Sequence, residues 1–193
     1  MVTTKPEFDF VFRIKKERYL VMSYLNNQLG YRDALLDTRS IIKKGDYIVL
    51  DPDGLVKNVV PGYENCDVTI LGSPAMGATF ADYLVHVHEG GKNTGIAGEG
   101  IESFLYVVDG ELSVKNDDQS AELTKGGYIY SPASNNITFE AKGEATLYVY
   151  RRRYEPVAGH SAHTVVGNAN DLEWMSYEGM ENCFHQLMTS DLT

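Results

Sequence analysis

Apolar and polar residues alternate in short runs along this chain, and glycine-containing turns separate the runs. The clearest example is the stretch 98–130, in which 104–108 and 112–115 are rich in β-branched and aromatic residues. Between these two runs lies Asp109-Gly110, a pair typical of the turn in a β-hairpin. Strands this short, with glycine turns this frequent, predict an antiparallel barrel or jelly roll.

The same alternation recurs along most of the chain and predicts an all-β fold. We expect the main strands of one barrel at 56–60, 78–88, 104–108, 112–115, 128–130 and 145–151. The segment 89–100 contains five glycines and is predicted to be a loop. A central helix longer than about four turns would contradict this architecture.

The chain divides by composition into three segments. Residues 1–21 are net basic, whereas the remainder is strongly acidic, and 1–21 is predicted to be an extension outside the fold. Residues 22–160 are predicted to form the barrel with an N-terminal arm. Residues 161–193 are predicted to be a linker and short C-terminal tail, with 168–174 as one helical turn capped by Asn168 or Asn170.

Composition narrows the class of protein. The 193 residues suit one domain, and the formal net charge of −10 argues against nucleic acid as a partner. No apolar run is long enough to span a membrane. The two cysteines, Cys66 and Cys183, do not make a disulfide framework, so a cytoplasmic location is expected.

Two segments, one around Gly110 and one from Gly126 to Pro132, resemble the signature segments of a cupin. A more specific resemblance is carried by the sequences MSYLNNQLGYRDALL, LDPDGLVKNVVPGYENCDVTIL, GEGIESFLYVVDGEL, KGGYIYSP, YRRRYEPV and NANDLEWMSYEGM. Together these segments make the chain similar to the N-terminal half of the (S)-ureidoglycine aminohydrolases, two-cupin proteins of allantoin and purine degradation.

The resemblance implies a hydrolase that converts ureidoglycine to ureidoglycolate and ammonia with a bound Mn²⁺. It also implies that the metal belongs to the second cupin, built from a Glu-x-His-x-x-x-His run and a later Gln. We therefore expect this chain to be the metal-free half, with the tail leading to a second cupin that is absent from it. On this interpretation the chain has no catalytic residue and binds no Mn²⁺ of its own.

The positions that correspond to cupin metal ligands support the same expectation. They hold Ala97, Glu99, Ser103 and Ile137, of which only Glu99 is a good cation ligand. An alternative site is His86-Val87-His88, because histidines two residues apart share one face of a strand. Its nearest downstream acids after the loop are Glu99 and Glu102, more than ten residues further on. Because the opposite face of this strand is the more apolar one, the histidines are expected to point outward.

Other residues carry weaker chemical signals. The run 151–153 contains three arginines that could bind an anion, although a solvated or paired strand end explains them equally. Ser161 lies between His160 and His163, but nothing in the sequence supplies an orienting acid. Asp67 should raise the pKa of the adjacent Cys66 thiol, which argues against a reactive cysteine. Glu99 and Glu102 could form an acid pair.

Three functions therefore remain open. The chain could be the supporting half of a ureidoglycine aminohydrolase-like protein, a metal-dependent enzyme that acts on a small molecule through His86, His88 and Glu99, or a cupin that binds a ligand without chemistry. A Glu-x-His-x-x-x-His run beyond Thr193 in a longer reading frame would favour the first.

The chain is also expected to form a homo-oligomer, most simply a symmetric dimer. The reason is that a half-protein exposes apolar surface that the intact protein covers, and such surface drives association. Sedimentation velocity at low protein concentration should show a species larger than the monomer. A single monomeric boundary without aggregation would contradict this expectation.

Overall fold

The computed structural model describes residues 40–133 and 135–189. The predicted extension, 1–21, and the part of the arm that ends at residue 39 lie outside the described residues. The chain divides into two compact units, one of 1–41 with 49–55 and one of 42–48 with 56–193. Of the first unit, the structure describes 40, 41 and 49–55, which include a 3-10 helix, Pro52–Gly54.

About half of the described residues lie in β-strands and very few lie in helices, so the predicted all-β class is confirmed. The strands are β1 Ile41–Lys43, β2 Tyr47–Val49, β3 Lys57–Asn58, β4 Tyr63–Gly72, β5 Phe80–Asn93, β6 Ile101–Asp109, β7 Glu111–Lys115, β8 Ser120–Thr124, β9 Gly127–Ser131, β10 Thr138–Ala141, β11 Ala145–Arg153, β12 Val165–Asn168, β13 Met175–Ser176 and β14 Phe184–His185. Two further 3-10 helices span Pro74–Met76 and Ala169–Asp171. No helix in the described part of the chain is long and apolar enough to cross a membrane.

Strands β3 to β12 form one antiparallel sheet that closes almost completely into a barrel. Its main path runs β12-β9-β6-β11-β5-β10-β7-β8, with β4 pairing the other edge of β5 and β3 pairing β4. The long strand β5 therefore contacts three neighbours: β11, β4 and, at its end, β10. The pairs β1-β2 and β13-β14 form separate two-stranded sheets.

The barrel core follows the two-residue period of the strands, which places alternate side chains on opposite faces. On β5, Val85 and Val87 are fully buried, and they pack with Val68 of β4 and Leu147 of β11. Burying each such side chain contributes about 1.5–3 kcal/mol relative to leaving it in water. These apolar inner faces stabilise the barrel.

The predicted loop at 89–100 is only partly a loop. Strand β5 continues through Gly90 and Gly91 to Asn93, which pairs with Tyr63 of β4 and Phe139 of β10. A β-carbon on Gly91 would lie 2.6 Å from the carbonyl oxygen of Asn65, so this glycine permits a close approach between strands. A glycine inside a strand weakens its sequence signal, although cross-strand pairing maintains the strand.

The segment 161–193, which composition assigns to a linker and tail, contributes a strand to the barrel sheet. Strand β12 pairs with β9, opposing Val165 to Tyr130 and Asn168 to Gly127. The predicted capped turn is present as the helix Ala169–Asp171, where the Asn168 side chain accepts a hydrogen bond from the Asn170 N–H.

The turn at Gly110 joins β6 to β7, but the predicted hairpin is wrong: β6 pairs with β9 and β11, and β7 pairs with β8 and β10. Gly110 itself gives a direct test of the fold. Gly110 has a φ of +84°, and a β-carbon there would lie 2.5 Å from the carbonyl oxygen of Glu144. Gly110→Ala should therefore destabilise the protein by about 1–3 kcal/mol through backbone strain and collision. Urea unfolding followed by circular dichroism measures this change.

Gly143→Ala is the matched control, because a β-carbon at Gly143 would contact nothing within 4 Å. It should change the free energy of unfolding by less than about 1 kcal/mol. Equal destabilisation by the two variants would show that the close packing at Gly110 is not the cause.

Candidate functional site

The positions expected to correspond to cupin metal ligands do not form a ligand set in the barrel. Ile137 is fully buried in the apolar core, and Ser103 is 1% exposed with no hydrogen-bond partner for its hydroxyl among the described residues. Ala97 donates its backbone N–H to the Asn136 side chain at 2.9 Å. Glu99 is exposed in the loop before β6. One hydroxyl and one exposed carboxylate do not satisfy a divalent cation.

The three arginines at 151–153 have three different environments. Arg151 donates to the Ile96 carbonyl oxygen at 2.9 Å, and its guanidinium carbon lies 5.4 Å from the centroid of the Tyr83 ring. Arg152 pairs with Glu102 at 2.5 Å, whereas Arg153 is exposed. The run is therefore largely a paired strand end, as one of the two sequence interpretations proposed.

Glu102 is a buried carboxylate whose partners are present. It is 8% exposed, accepts a hydrogen bond from the Tyr130 hydroxyl at 2.8 Å and pairs with Arg152. Burial, together with the hydrogen bond to Glu102, raises the pKa of Tyr130. The hydrogen bond and charge of Glu102 raise the pKa of Arg152. These contacts give Glu102 a structural role, separate from the exposed Glu99.

The remaining candidates are not assembled into a site. His160, Ser161 and His163 are exposed in the segment between β11 and β12, and no hydrogen bond among the described residues joins their side chains. Burial raises the pKa of the Cys66 thiol to about 11, and Asp67 contributes in the same direction, as expected. A thiol with this pKa is protonated at neutral pH and is a poor nucleophile.

The histidines of β5 lie on its outer face, as predicted. Val85 and Val87 point into the core, so the intervening side chains point away from it. The side chains of His86 and His88 are 45% and 38% exposed, and the two rings meet edge to face with centroids 5.0 Å apart.

A carboxylate completes this outer-face group. Glu144, in the turn between β10 and β11, places Oε2 2.9 Å from Nε2 of His86 and 3.4 Å from Nδ1 of His88. One nitrogen from each ring and one carboxylate oxygen all lie within 4.8 Å of one another. This arrangement is a possible metal site, and we call His86, His88 and Glu144 the outer-face triad.

The acid of the triad is Glu144, whereas the sequence suggested Glu99. Antiparallel pairing opposes Ala145 of β11 to Val87 of β5, which brings the preceding residue, Glu144, beside His88. Glu144 lies 56 residues beyond His88 in the chain. Only the pairing of β5 with β11 identifies it, because distance along the chain favours acids closer to the histidines, such as Glu99.

The ring nitrogens that do not face Glu144 contact residues of the neighbouring strands. Nε2 of His88 lies 3.2 Å from Oδ2 of Asp67 on β4, and Nδ1 of His86 lies 3.4 Å from the Thr146 hydroxyl on β11. Asp67 also pairs with the Lys57 ammonium. Partial burial opposes ionisation of Asp67, but the hydrogen bonds and charges of Lys57 and His88 outweigh it and lower the pKa of this carboxyl.

Together, the nearly closed antiparallel barrel and its hairpin arrangement define a cupin-type fold. Over 83% of its length the chain is 49% identical to the (S)-ureidoglycine aminohydrolase of Escherichia coli, and over 69% it is 31% identical to that of Arabidopsis thaliana. The chain is thus a homologue of the (S)-ureidoglycine aminohydrolases, and the resemblance seen in its sequence is confirmed. It spans 63% of the E. coli relative and 44% of the Arabidopsis relative.

Solved structures agree with this relationship. The E. coli protein Ylba, of family DUF861, matches with a TM-score of 0.69 and 47% identity, over 76% of this chain and 62% of its own length. A structural-genomics protein from Pseudomonas aeruginosa matches with a TM-score of 0.58 and 23% identity, over 63% of this chain and 48% of its own, and supports the fold alone. No protein-family model matches the chain.

The contacts of Glu102 with Tyr130 and Arg152 are expected to stabilise the folded protein. Arg152→Ala should destabilise the protein by about 1–3 kcal/mol, because it removes a charged partner from a buried carboxylate. Thermal and urea unfolding at neutral pH measure this loss. The control is Arg153→Ala, which removes an exposed arginine on the same strand and should cost no more than about 0.5 kcal/mol. Equal costs for both variants would exclude a special role for the Glu102 pair.

Proposed function

We propose that this chain is the N-terminal cupin of a ureidoglycine aminohydrolase-like protein that acts in the cytoplasm, and that this cupin is metal-free at the positions where cupins carry their catalytic metal. The observation that carries the proposal is the 49% identity to the E. coli enzyme across 83% of the chain. In the whole protein, the reaction would hydrolyse the C–N bond of ureidoglycine and release ammonia. The chain's contribution would be a rigid barrel that supports the assembly.

The donor atoms of this barrel do not fit the Mn²⁺ that the family relationship implies. Mn²⁺ prefers several oxygen or imidazole donors around it. Ser103 and Ile137 offer one buried hydroxyl and a hydrocarbon side chain, and Glu99 is exposed in a loop. The proposal therefore assigns the metal and the bond cleavage to a second cupin and derives no reaction step within this chain.

A second candidate function is the binding of a small polar molecule inside the barrel. Several buried polar atoms have no hydrogen-bond partner among the described residues, and they include the Tyr63 hydroxyl, Nδ2 of Asn93 and the Ser103 hydroxyl. Strand pairing opposes Tyr63 to Asn93 and Arg151 to Ser103. Because an unpaired buried polar group is costly, a ligand that hydrogen-bonds to these groups would be favoured.

The first proposal predicts that the purified chain alone releases no ammonia from ureidoglycine above the rate without protein, even with added Mn²⁺. The E. coli relative, assayed under the same conditions, is the positive control. Calorimetric titration of the chain with Mn²⁺ should show little or no binding. A longer reading frame should encode a Glu-x-His-x-x-x-His run after Thr193.

Ammonia release by the chain alone would contradict this proposal. If that activity disappeared in the variant His86→Ala/His88→Ala but survived in His160→Ala/His163→Ala, the active centre would lie on β5. The control variant removes the same number of imidazoles from an exposed segment remote from β5 in sequence.

A further inference from the structure

The two histidines of the outer-face triad are oriented as metal-ligating histidines are. Each ring directs one nitrogen toward Glu144 and the other toward a group that can accept a hydrogen bond, the Thr146 hydroxyl for His86 and the Asp67 carboxylate for His88. With a cation bound, the second nitrogen would carry the ring proton and donate it to this group, and the lone pair of the first nitrogen would face the cation. Histidines that bind metals generally have such a partner, most often a carboxylate or a backbone carbonyl.

We propose that His86, His88 and Glu144 form a binding site for a Zn²⁺-like divalent cation on the outer face of the barrel. Asp67 and Thr146 are positioning residues for the two rings. The site lies on the opposite face of β5 from the cupin core, and it is independent of the Mn²⁺ chemistry proposed for the whole protein.

The geometry of the triad suits this cation. Zn²⁺ binds nitrogen and carboxylate oxygen at about 2.0–2.2 Å, so tetrahedral ligand atoms lie about 3.3 Å apart. The separations between Glu144 Oε2 and the two imidazole nitrogens, 2.9 and 3.4 Å, already have this value within a few tenths of an ångström. The third separation, between the two imidazole nitrogens, is no more than 4.8 Å. Rotation of Glu144 and of the two imidazoles, whose side chains are 59%, 45% and 38% exposed, would centre the ion.

The charges around the triad also favour a cation. Glu144 and Asp67 supply two negative charges, and Lys57 neutralises one of them through its pairing with Asp67. Two neutral imidazoles and one carboxylate then face the ion with a net negative charge. A donor set of two imidazoles and a carboxylate suits Zn²⁺, Ni²⁺ and Cu²⁺, and the general affinity order places Mn²⁺ lowest.

Three protein ligands leave the fourth tetrahedral position to water. The ion would also join β5 to the turn between β10 and β11, in addition to the contacts that Glu144 already makes with His86 and His88. Binding to the folded state should therefore raise the unfolding temperature in proportion to the logarithm of the ion concentration.

The test is a calorimetric titration of the chelator-treated chain with Zn²⁺ and, separately, with Mn²⁺. We expect one equivalent of Zn²⁺ to bind and Mn²⁺ to bind far more weakly. His86→Ala/His88→Ala should abolish the Zn²⁺ binding, and Glu144→Gln should weaken it. Asp67→Ala retains every ligand but should reduce the affinity about 10–100-fold, the usual effect of losing a partner of a ligating histidine.

Two controls separate this site from other zinc-binding groups and from misfolding. His160→Ala/His163→Ala and Cys66→Ser/Cys183→Ser should each retain the wild-type affinity for Zn²⁺. Circular dichroism of each metal-free variant checks that it is folded, which is expected because the triad side chains are largely exposed. Co²⁺ substituted for Zn²⁺ should give the visible absorption of a four-coordinate ion, and the triad variants should lose it.

The proposal is overturned if the folded wild-type chain binds no Zn²⁺. It is equally overturned if His86→Ala/His88→Ala binds Zn²⁺ as the wild type does, or if either control variant loses the binding. None of these three results would affect the ammonia-release test of the whole-protein proposal, because that test uses Mn²⁺ and measures ammonia.

Discussion

Strand β5 is the element on which the rest of the barrel depends, because it is hydrogen-bonded along both edges. It pairs with β11 on one side and β4 on the other, and its last residues also pair with β10. A strand held from two sides cannot slip by one residue without turning its whole apolar face outward. Val85 and Val87 are therefore fixed in the core, and His86 and His88 are fixed outside it.

The fixed register of β5 gives its two faces different environments, an apolar one inside the barrel and a polar one outside. Inside the barrel, Ser103 and Ile137 are two of the positions expected to correspond to cupin metal ligands, and both are buried, with Ile137 packed in the apolar core. Outside, two neighbours of β5 each contribute a polar group beside the histidines: Asp67 from β4 and Thr146 from β11. The outer groups can be polar because water solvates whatever the neighbouring side chains leave unpaired.

The turn that carries Glu144 links the two best-defined local features of the fold. Its backbone carbonyl packs closely against Gly110, and its side chain faces the two histidines. Since only a glycine fits at Gly110, the turn between β6 and β7 limits where Glu144 can lie. A turn signal that is obvious in the sequence thus helps to position a group whose role the sequence does not reveal.

The sequence by itself determined the all-β class, the positions of most strands, the outward direction of His86 and His88, and the family resemblance. Each of these features depends on residues that are close together in the sequence, through the two-residue period of a strand or the backbone preferences of glycine. Only the tertiary structure decided that β5 continues through Gly91 to Asn93 and that Glu144, not Glu99, joins the histidines. The physical reason is that strand register brings together residues more than fifty positions apart, and no local pattern encodes which strands will pair.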